Sequence, residues 1–362
     1  MPLSKIQLSE ATGRRNLVIN GSFQIFQRAT AATAATGYTT ADRWHISETS
    51  DGAYTSERST DNPFGTGYSL KLQCTTADTS LASGQFARVY QRIEAQNLQH
   101  LLYGTSSAKT LTLSFWVKSS KTGTYSILLR KEDSTGYHFI HSYTISSANT
   151  WEKKVITITP TAGSTSFITA SAGAIVNDNG IGLELAFNLA QGSQYAIGTS
   201  NTWSSDTNTY GLNGQVNWLD NTSNNLYLAQ VQLEVGSLTE FEHLTFDEEL
   251  ASCQRYYTKS WSYENAVTTN PGVIGASCVG SIHRAFGNVF WPVEMRTPPT
   301  VTWYSGSNGT VNKWRNGSQG TDITPPSAIA GIGTKGYGFV LSSGISGVTD
   351  TLQGHYEAAA EL

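Results

Sequence analysis

Residues 226–257 read LYLAQVQLEVGSLTEFEHLTFDEELASCQRYY. The first ten alternate in character. Tyr227, Ala229, Val231, Leu233 and Val235 fall on one side, and Gln230, Gln232 and Glu234 on the other. A period of two is that of a strand with one solvated face. After Gly236 the alternation stops. Leu244, Leu250 and the run DEELASCQRYY suit one or two helical turns, and Thr245 stands three residues before Glu248, the spacing of a capping box. The stretch therefore predicts a closing strand, a seam and a new beginning. Cys253 sits in that seam with Asp247, Glu248, Glu249 and His243 nearby in sequence. A reactive thiol needs a cation or a helix N-terminus to lower its pKa. Cys253 has acids on its N-terminal side and lies late in its helix, so it is expected as a small buried hydrophobe.

Working outward, the same alternation recurs. In TLTLSFWVKS (110–119), Leu111, Leu113, Phe115 and Val117 share one face, and Thr112, Ser114, Trp116 and Lys118 the other. In YSLKLQC (68–74), Tyr68, Leu70, Leu72 and Cys74 align inward; in IGLELAFNLA (181–190), Leu183, Leu185, Phe187 and Leu189 do. From Asn16 to position 246 this makes roughly eight to ten strands separated by Gly, Asn, Asp and Ser clusters. Two one-sided antiparallel sheets packed together form a sandwich, and the long connections at 29–41 and 190–215 favour a jelly roll over hairpins. A smaller β pattern follows, including GNVFWPVEM, PTVTWYS and KGYGFVLSS. The fold class expected is all-β: a jelly-roll β-sandwich over 16–246, a short helical linker over 247–257, and a second, smaller β-sandwich over 258–362. An arm, residues 1–15, precedes them.

Composition narrows the function classes. The 362 residues carry a formal charge of −4 and only 14% charged side chains, with a mean hydropathy of −0.27. That balance argues against nucleic acid, which needs a basic face. The start shows no apolar signal-peptide core, and no run of about 18 apolar residues predicts a membrane span. Three widely spaced cysteines, Cys74, Cys253 and Cys278, form no disulfide framework.

Catalytic motifs are missing. There is no Cys-x-x-Cys, no His-Glu-x-x-His and no Gly-x-Ser-x-Gly. A polysaccharide depolymerase would need a carboxylate pair in a cleft. Glu132, Asp133, Glu184, Asp206 and Asp220 offer pairs, as any acid-bearing chain does, and solvated loop acids are the plainer reading. No cofactor is expected. One oxygen-rich fragment, VNDNGIGLE, makes Asn177, Asp178 and Glu184 a candidate structural calcium site, although the ligand set is incomplete.

Aromatic residues remain. Trp203, Tyr210 and Trp218 lie in a long polar stretch, and Trp116 falls on the polar face of its strand. Trp303 and Trp314 flank a polar loop further on. Flat rings amid short polar side chains are the ingredients of a sugar site, the ring stacking on the apolar face of a pyranose. Packing or subunit contact is the competing use of such rings.

NLVINGSFQIFQR with GYTTADRWHI, SFWVKSSKTGTYSI, LNGQVNWLDNTSNNLYLAQVQLEVG, EFEHLTFDEELASCQRYYTKS and FWPVEMRTPPTVTW together resemble tailed-bacteriophage virion proteins, of the tail-fibre or minor structural kind, with a carbohydrate-binding-module-like jelly roll and a terminal β knob. The resemblance spans nearly everything after residue 15. It implies a non-enzymatic virion component, assembled in the host cytoplasm as a homotrimer, that binds host surface polysaccharide. It also makes the arm the tether to other virion proteins, with Lys5, Ile6, Leu8, Arg14 and Arg15 as candidate attachment residues. A capsid decoration or head fibre is the alternative use of the same domains.

Overall fold

The computed structural model describes residues 14–32, 36–265, 267, 272–279, 284–345, 347 and 349–362, with backbone alone at 277–279. Strands dominate. They begin with β1 (Ala31–Ala32), β2 (His45–Glu48), β3 (Ala53–Ser59), β4 (Ser69–Thr76), β5 (Phe86–Glu94) and β6 (Leu111–Ser119). They continue with β7 (Gly123–Lys131), β8 (Tyr137–Ile145), β9 (Glu152–Ile158), β10 (Ile181–Gln191), β11 (Thr202–Ser204) and β12 (Asn225–Val235). The chain divides into two compact units, the first holding most of the residues up to Leu244.

In the first unit one sheet has the order β3-β4-β12-β6-β9, and the other has β11-β8-β7-β10-β5-β2. Leu111, Leu113, Phe115 and Val117 of β6 are fully buried, as are Leu183, Leu185, Phe187 and Leu189 of β10. Phe115 meets Phe187 edge-on, with ring centroids 4.9 Å apart, which ties one sheet to the other. Each such side chain contributes about 1.5–3 kcal/mol by leaving water. This is the jelly-roll sandwich that the alternation predicts.

One strand departs from its expected facing. Between Ala229 and Gln232 the register of β12 against β6 shifts, and Gln230 takes a φ of 46°. A bulge of this kind inserts an extra residue, and a one-residue slip moves side chains to the opposite face. Before the bulge, Leu226 and Leu228 are buried and Tyr227, paired with Lys118, stands on the outer face. After it, Leu233 again pairs with Leu113 in the core. Strict alternation had put Tyr227 inside.

The second unit comprises Gln24–Ala32, Tyr38–Arg43 and Thr245–Leu362. Its helix α1 (Phe246–Gln254) opens on a capping box: the Glu248 amide donates to the Thr245 hydroxyl, and the Glu248 carboxylate accepts from the Thr245 amide at 3.0 Å. Among the described residues nine strands follow, from β13 (Tyr257–Lys259) and β14 (Ile274–Val279) through β15 (Arg284–Phe290), β16 (Thr300–Ser305) and β17 (Trp314–Asn316). The last are β18 (Thr321–Ile323), β19 (Ser327–Ala328), β20 (Gly336–Leu341) and β21 (Leu352–Ala359). β14 pairs with β21 through Ile274–Ala276 and with β15 through 277–279, so it passes from one sheet to the other. Trp303, Trp314, Phe339 and Tyr356 fill the core.

The sequence placed 16–246 in one domain. Residues 24–32 and 38–43 belong instead to the second unit, because their polar side chains find partners there. The Gln27 amide donates to Asp42 at 3.0 Å, and Gln27 Nε2 to the Tyr257 carbonyl at 2.9 Å. Arg28 pairs with Glu361 at 3.0 Å, and Arg43 lies 3.5 Å from the Tyr256 ring centroid. Burial pushes the Asp42 carboxyl up to about 6, against the pull of Arg28 and the Gln27 hydrogen bonds. Among the described residues no helix is long and apolar enough to cross a membrane.

Candidate functional site

Four of the six candidate rings are packing residues. Trp203, Trp218 and Trp314 are at most 1% exposed, and Trp303 is 5% exposed. Trp203 donates its indole N–H to the Thr159 carbonyl and packs on Phe139. Trp218 stands edge-on to Tyr54, and Trp303 edge-on to Trp314. The polar neighbours in sequence hid the fact that these rings point inward, where a large apolar surface gains most. Trp116 and Tyr210 stay half-buried, on opposite outer faces of the first unit's sandwich.

Trp116 anchors the first face. It lines a depression with Phe64, Ser114, Lys153, Gln230, Glu240 and Phe241. Three local devices assemble it. The β3–β4 loop presents Phe64, held by the Asn62 side chain, whose Oδ1 accepts from the Phe64 amide and whose Nδ2 donates to the Tyr68 carbonyl. The bulge in β12 redirects Gln230. The segment after β12 folds back over the sheet: Gln232 donates to the Glu240 carbonyl at 3.2 Å and accepts from the Glu242 amide at 2.7 Å. That fold-back sets Glu240 and Phe241 beside the indole.

The aromatic surface continues across the sheet. Trp151 stands 6.0 Å from Tyr227, and the Lys118 ammonium lies 4.4 Å from the Tyr227 centroid. Asp61 receives Trp151 Nε1 at 3.0 Å and pairs with Lys118. Burial raises the Asp61 carboxyl, but these donors outweigh it and hold it below its ordinary value. The face thus offers flat rings bordered by paired charges. Trp151, Tyr227, Phe64 and Phe241 were not singled out in the sequence, and the outward turn of Tyr227 was hidden by the bulge.

Tyr210 belongs to the second face. Here Arg88, Arg92 and Arg130 converge on Glu184, which is fully buried. Arg88 approaches Glu184 at 3.1 Å and Arg92 at 3.0 Å. Burial raises the Glu184 carboxyl, yet the guanidiniums prevail and keep it below the usual range. Burial lowers Arg130, and so do its neighbours Arg88 and Arg92. Tyr210 lies 4.9 Å from both the Arg88 guanidinium and the Tyr195 centroid. The segment after β10 is tied across this face by Asn188, which donates to the Tyr210 carbonyl at 2.6 Å, and by Ser126, which donates to Gln215. Gly211 permits that close approach, since a Cβ there would meet Gln191 Cγ at 2.6 Å. Burial lowers His138 to about 4, so the imidazole is neutral at pH 7.

The calcium site is not assembled. Glu184 is committed to arginines, while Asp178 is exposed and accepts from the Gly180 amide at 2.7 Å. Asn177 is exposed beside it. Among the described residues no group of three His, Cys, Asp or Glu is placed to hold a metal ion. Burial pushes the Cys74 thiol up to about 11 and Cys253 well above its ordinary value. Of the arm candidates, Arg14 donates to the Asn16 and Val18 carbonyls and Arg15 pairs with Glu242 at 3.8 Å, both within the first unit. Lys5, Ile6 and Leu8 lie outside the described residues.

No protein-family profile matches the chain, and no curated protein matches it. Among solved structures, it is similar to the enzymatically active domain of tailspike protein 4 of bacteriophage CBA120, with 17% identity and a TM-score of 0.31 over 61% of this chain. The match spans 21% of that longer protein. It is also similar to a family 11 carbohydrate-binding module from Clostridium thermocellum solved with a mixed-linked tetrasaccharide, at 10% identity and a TM-score of 0.30. That match covers 59% of this chain and 99% of the module.

Proposed function

We propose that the chain is a non-enzymatic glycan-binding protein, and that it reads neutral sugar on the outer face of the sheet that carries Trp116. One observation carries this: the half-buried Trp116 ring sits in a depression walled edge-on by Phe64, itself 49% exposed, and rimmed by Ser114, Gln230, Glu240 and Lys153. A pyranose presents an apolar face to such a ring and hydroxyls to such a rim. The strained φ of Gln230 adds weight, because strain of this kind gathers where side chains are aimed at ligands. A depolymerase has less support, since fully buried Glu184 lies among arginines that hold its carboxyl below the ordinary range, the opposite of what a general acid needs.

The sequence resemblance supports a place for the chain in a bacteriophage particle, as a tail-fibre or spike component that adheres to the host surface. A trimer would multiply weak single sites through avidity. Affinity electrophoresis in gels carrying mixed-linkage β-glucan, galactan or xylan tests the binding. Retardation that weakens about fivefold in Trp116→Ala supports the proposal. Unretarded migration on every polysaccharide, neutral or acidic, sinks it. Imaging of labelled particles tests the location separately.

A further inference from the structure

We infer that the N-terminal segment is coupled to the Trp116 face, and that Asn16 and Glu242 are the positioning residues that join them. This deepens the glycan-binding proposal and rests on it. The link is a closed circuit of hydrogen bonds. The pairing of β12 with β4 runs from Asn225 to Leu228, and beyond it the N-terminal segment lies along β12. Asn16 Nδ2 donates to the Val231 carbonyl at 3.0 Å, and Asn16 Oδ1 accepts from the Leu233 amide at 3.1 Å. The Leu17 amide donates to the Leu233 carbonyl at 2.8 Å, and the Gly21 carbonyl accepts from the Val231 amide at 2.9 Å. Only glycine fits at 21, since a Cβ there would lie 2.1 Å from the Val231 carbonyl oxygen. These bonds bracket Gln232, just past the bulge that redirects Gln230. Gln232 in turn brackets Phe241, through the Glu240 carbonyl at 3.2 Å and the Glu242 amide at 2.7 Å. The Glu242 carboxylate closes the circuit, accepting from the Asn16 amide at 2.8 Å and the Arg15 amide at 3.0 Å.

Two walls of the depression, Gln230 and Phe241, depend on this circuit. Asn16 and Gln232 are buried, and the Glu242 side chain keeps only 15% of its surface. Hydrogen bonds in such surroundings reinforce one another, and those from backbone amides to a carboxylate are the stronger kind. The fold-back has little apolar anchorage of its own: Leu238 is 44% exposed, Glu240 is exposed and Phe241 is half-buried. Glu234 holds its near end, accepting from the Thr239 amide at 2.9 Å, and Glu242 holds its far end. The φ of 46° at Gln230 likewise persists only where neighbours enforce it. The two walls are therefore set for ligand while the segment at 15–21 is seated, and a ligand that favours the set walls favours the seating in return. Trp116 and Phe64 stand on β6 and the β3–β4 loop, outside the circuit, so the coupling acts on part of the site.

The test uses the full chain and whichever of mixed-linkage β-glucan, galactan and xylan retards the wild type in affinity electrophoresis. Phe241→Ala should weaken retention about fivefold, and Glu242→Ala by a similar factor. The double variant should be no weaker than Phe241→Ala alone, because Glu242 acts through that wall. Losses that multiply in the double variant overturn the coupling. Glu242→Gln keeps an oxygen for the two amides and should bind more tightly than Glu242→Ala; equal losses overturn it. A Glu242→Ala variant with a lowered denaturation midpoint and wild-type retention would show a purely structural carboxylate and also overturn it. Hydrogen exchange on the wild type needs no variant, so a folding defect leaves the test decisive. With glycan bound, the Arg15 and Asn16 amides should exchange at least about twofold more slowly. Unchanged exchange overturns the coupling alone, whereas a wild type that no polysaccharide retards overturns the glycan-binding proposal with it.

Discussion

Phe64 meets Trp116 edge-on, with 5.5 Å between ring centroids and 83° between planes. The two rings come from different elements, a loop and a strand, yet neither is buried in the core. That arrangement leaves the indole face available for stacking. Trp116→Ala and Phe64→Ala should each weaken neutral-glycan retention by roughly 1 kcal/mol, about fivefold, with unchanged far-UV circular dichroism. Loss of soluble protein in both variants would assign the rings to packing.

The buried tryptophans should behave in the opposite way. Trp203→Ala, Trp218→Ala and Trp314→Ala each empty a site that is at most 1% exposed. Large-to-small changes of this kind cost about 3–5 kcal/mol. Chemical denaturation should show that loss, whereas Trp116→Ala should shift the midpoint little. Wild-type-like stability in Trp218→Ala would contradict the packing described.

Much of the fold was legible because alternation reports burial directly. β6 and β10 show it, with every apolar residue expected inside found there. The capping box at Thr245 was equally legible, since it is a local pattern with a local cause. What escaped were long-range effects. The bulge at Gln230 leaves no mark on hydropathy, so Tyr227 was assigned to the wrong face. The transfer of residues 24–32 and 38–43 to the second unit depends on Glu361, more than 300 positions away in sequence. The three arginines of the second face lie on β5 and β7, each unremarkable alone, and only strand pairing brings them to Glu184.

Gln230 offers a test of strain in the service of a site. Its φ of 46° is unfavourable for a residue with a Cβ. Gln230→Gly should therefore hold or raise stability, by up to about 1 kcal/mol, while weakening retention on neutral glycan. Gln230→Val should lower stability, because a β-branched side chain suits that conformation worst. Thermal melts beside gel retardation separate the two effects. A stability loss in the glycine variant would show that the side chain, not the backbone, governs the bulge.

Glu184→Gln probes the arginine cluster. The native carboxyl titrates below its ordinary 4.5, so its contribution is present above that value and fades as pH falls through the native one. Removing the charge leaves three guanidiniums facing an amide and should cost about 3–5 kcal/mol at pH 7. The deficit should narrow below about pH 4.5, when the wild-type carboxyl begins to gain its proton. A deficit independent of pH would mean that shape, not charge, holds the cluster together.

Asp42 should show the reverse slope. Burial raises its carboxyl from 3.8 to about 6 in the native state. Between those values the folded chain holds a proton that the unfolded chain has released, so stability falls as pH rises. Relative to Asp42→Asn, which cannot ionise but still offers an acceptor to Gln27, the wild type should lose on the order of 3 kcal/mol across that window. Above about pH 6 the two profiles should run parallel. Denaturation midpoints at half-unit pH steps would measure this, and a difference that stays constant from pH 4 to 7 would show that Arg28, 3.9 Å away, keeps Asp42 ionised throughout.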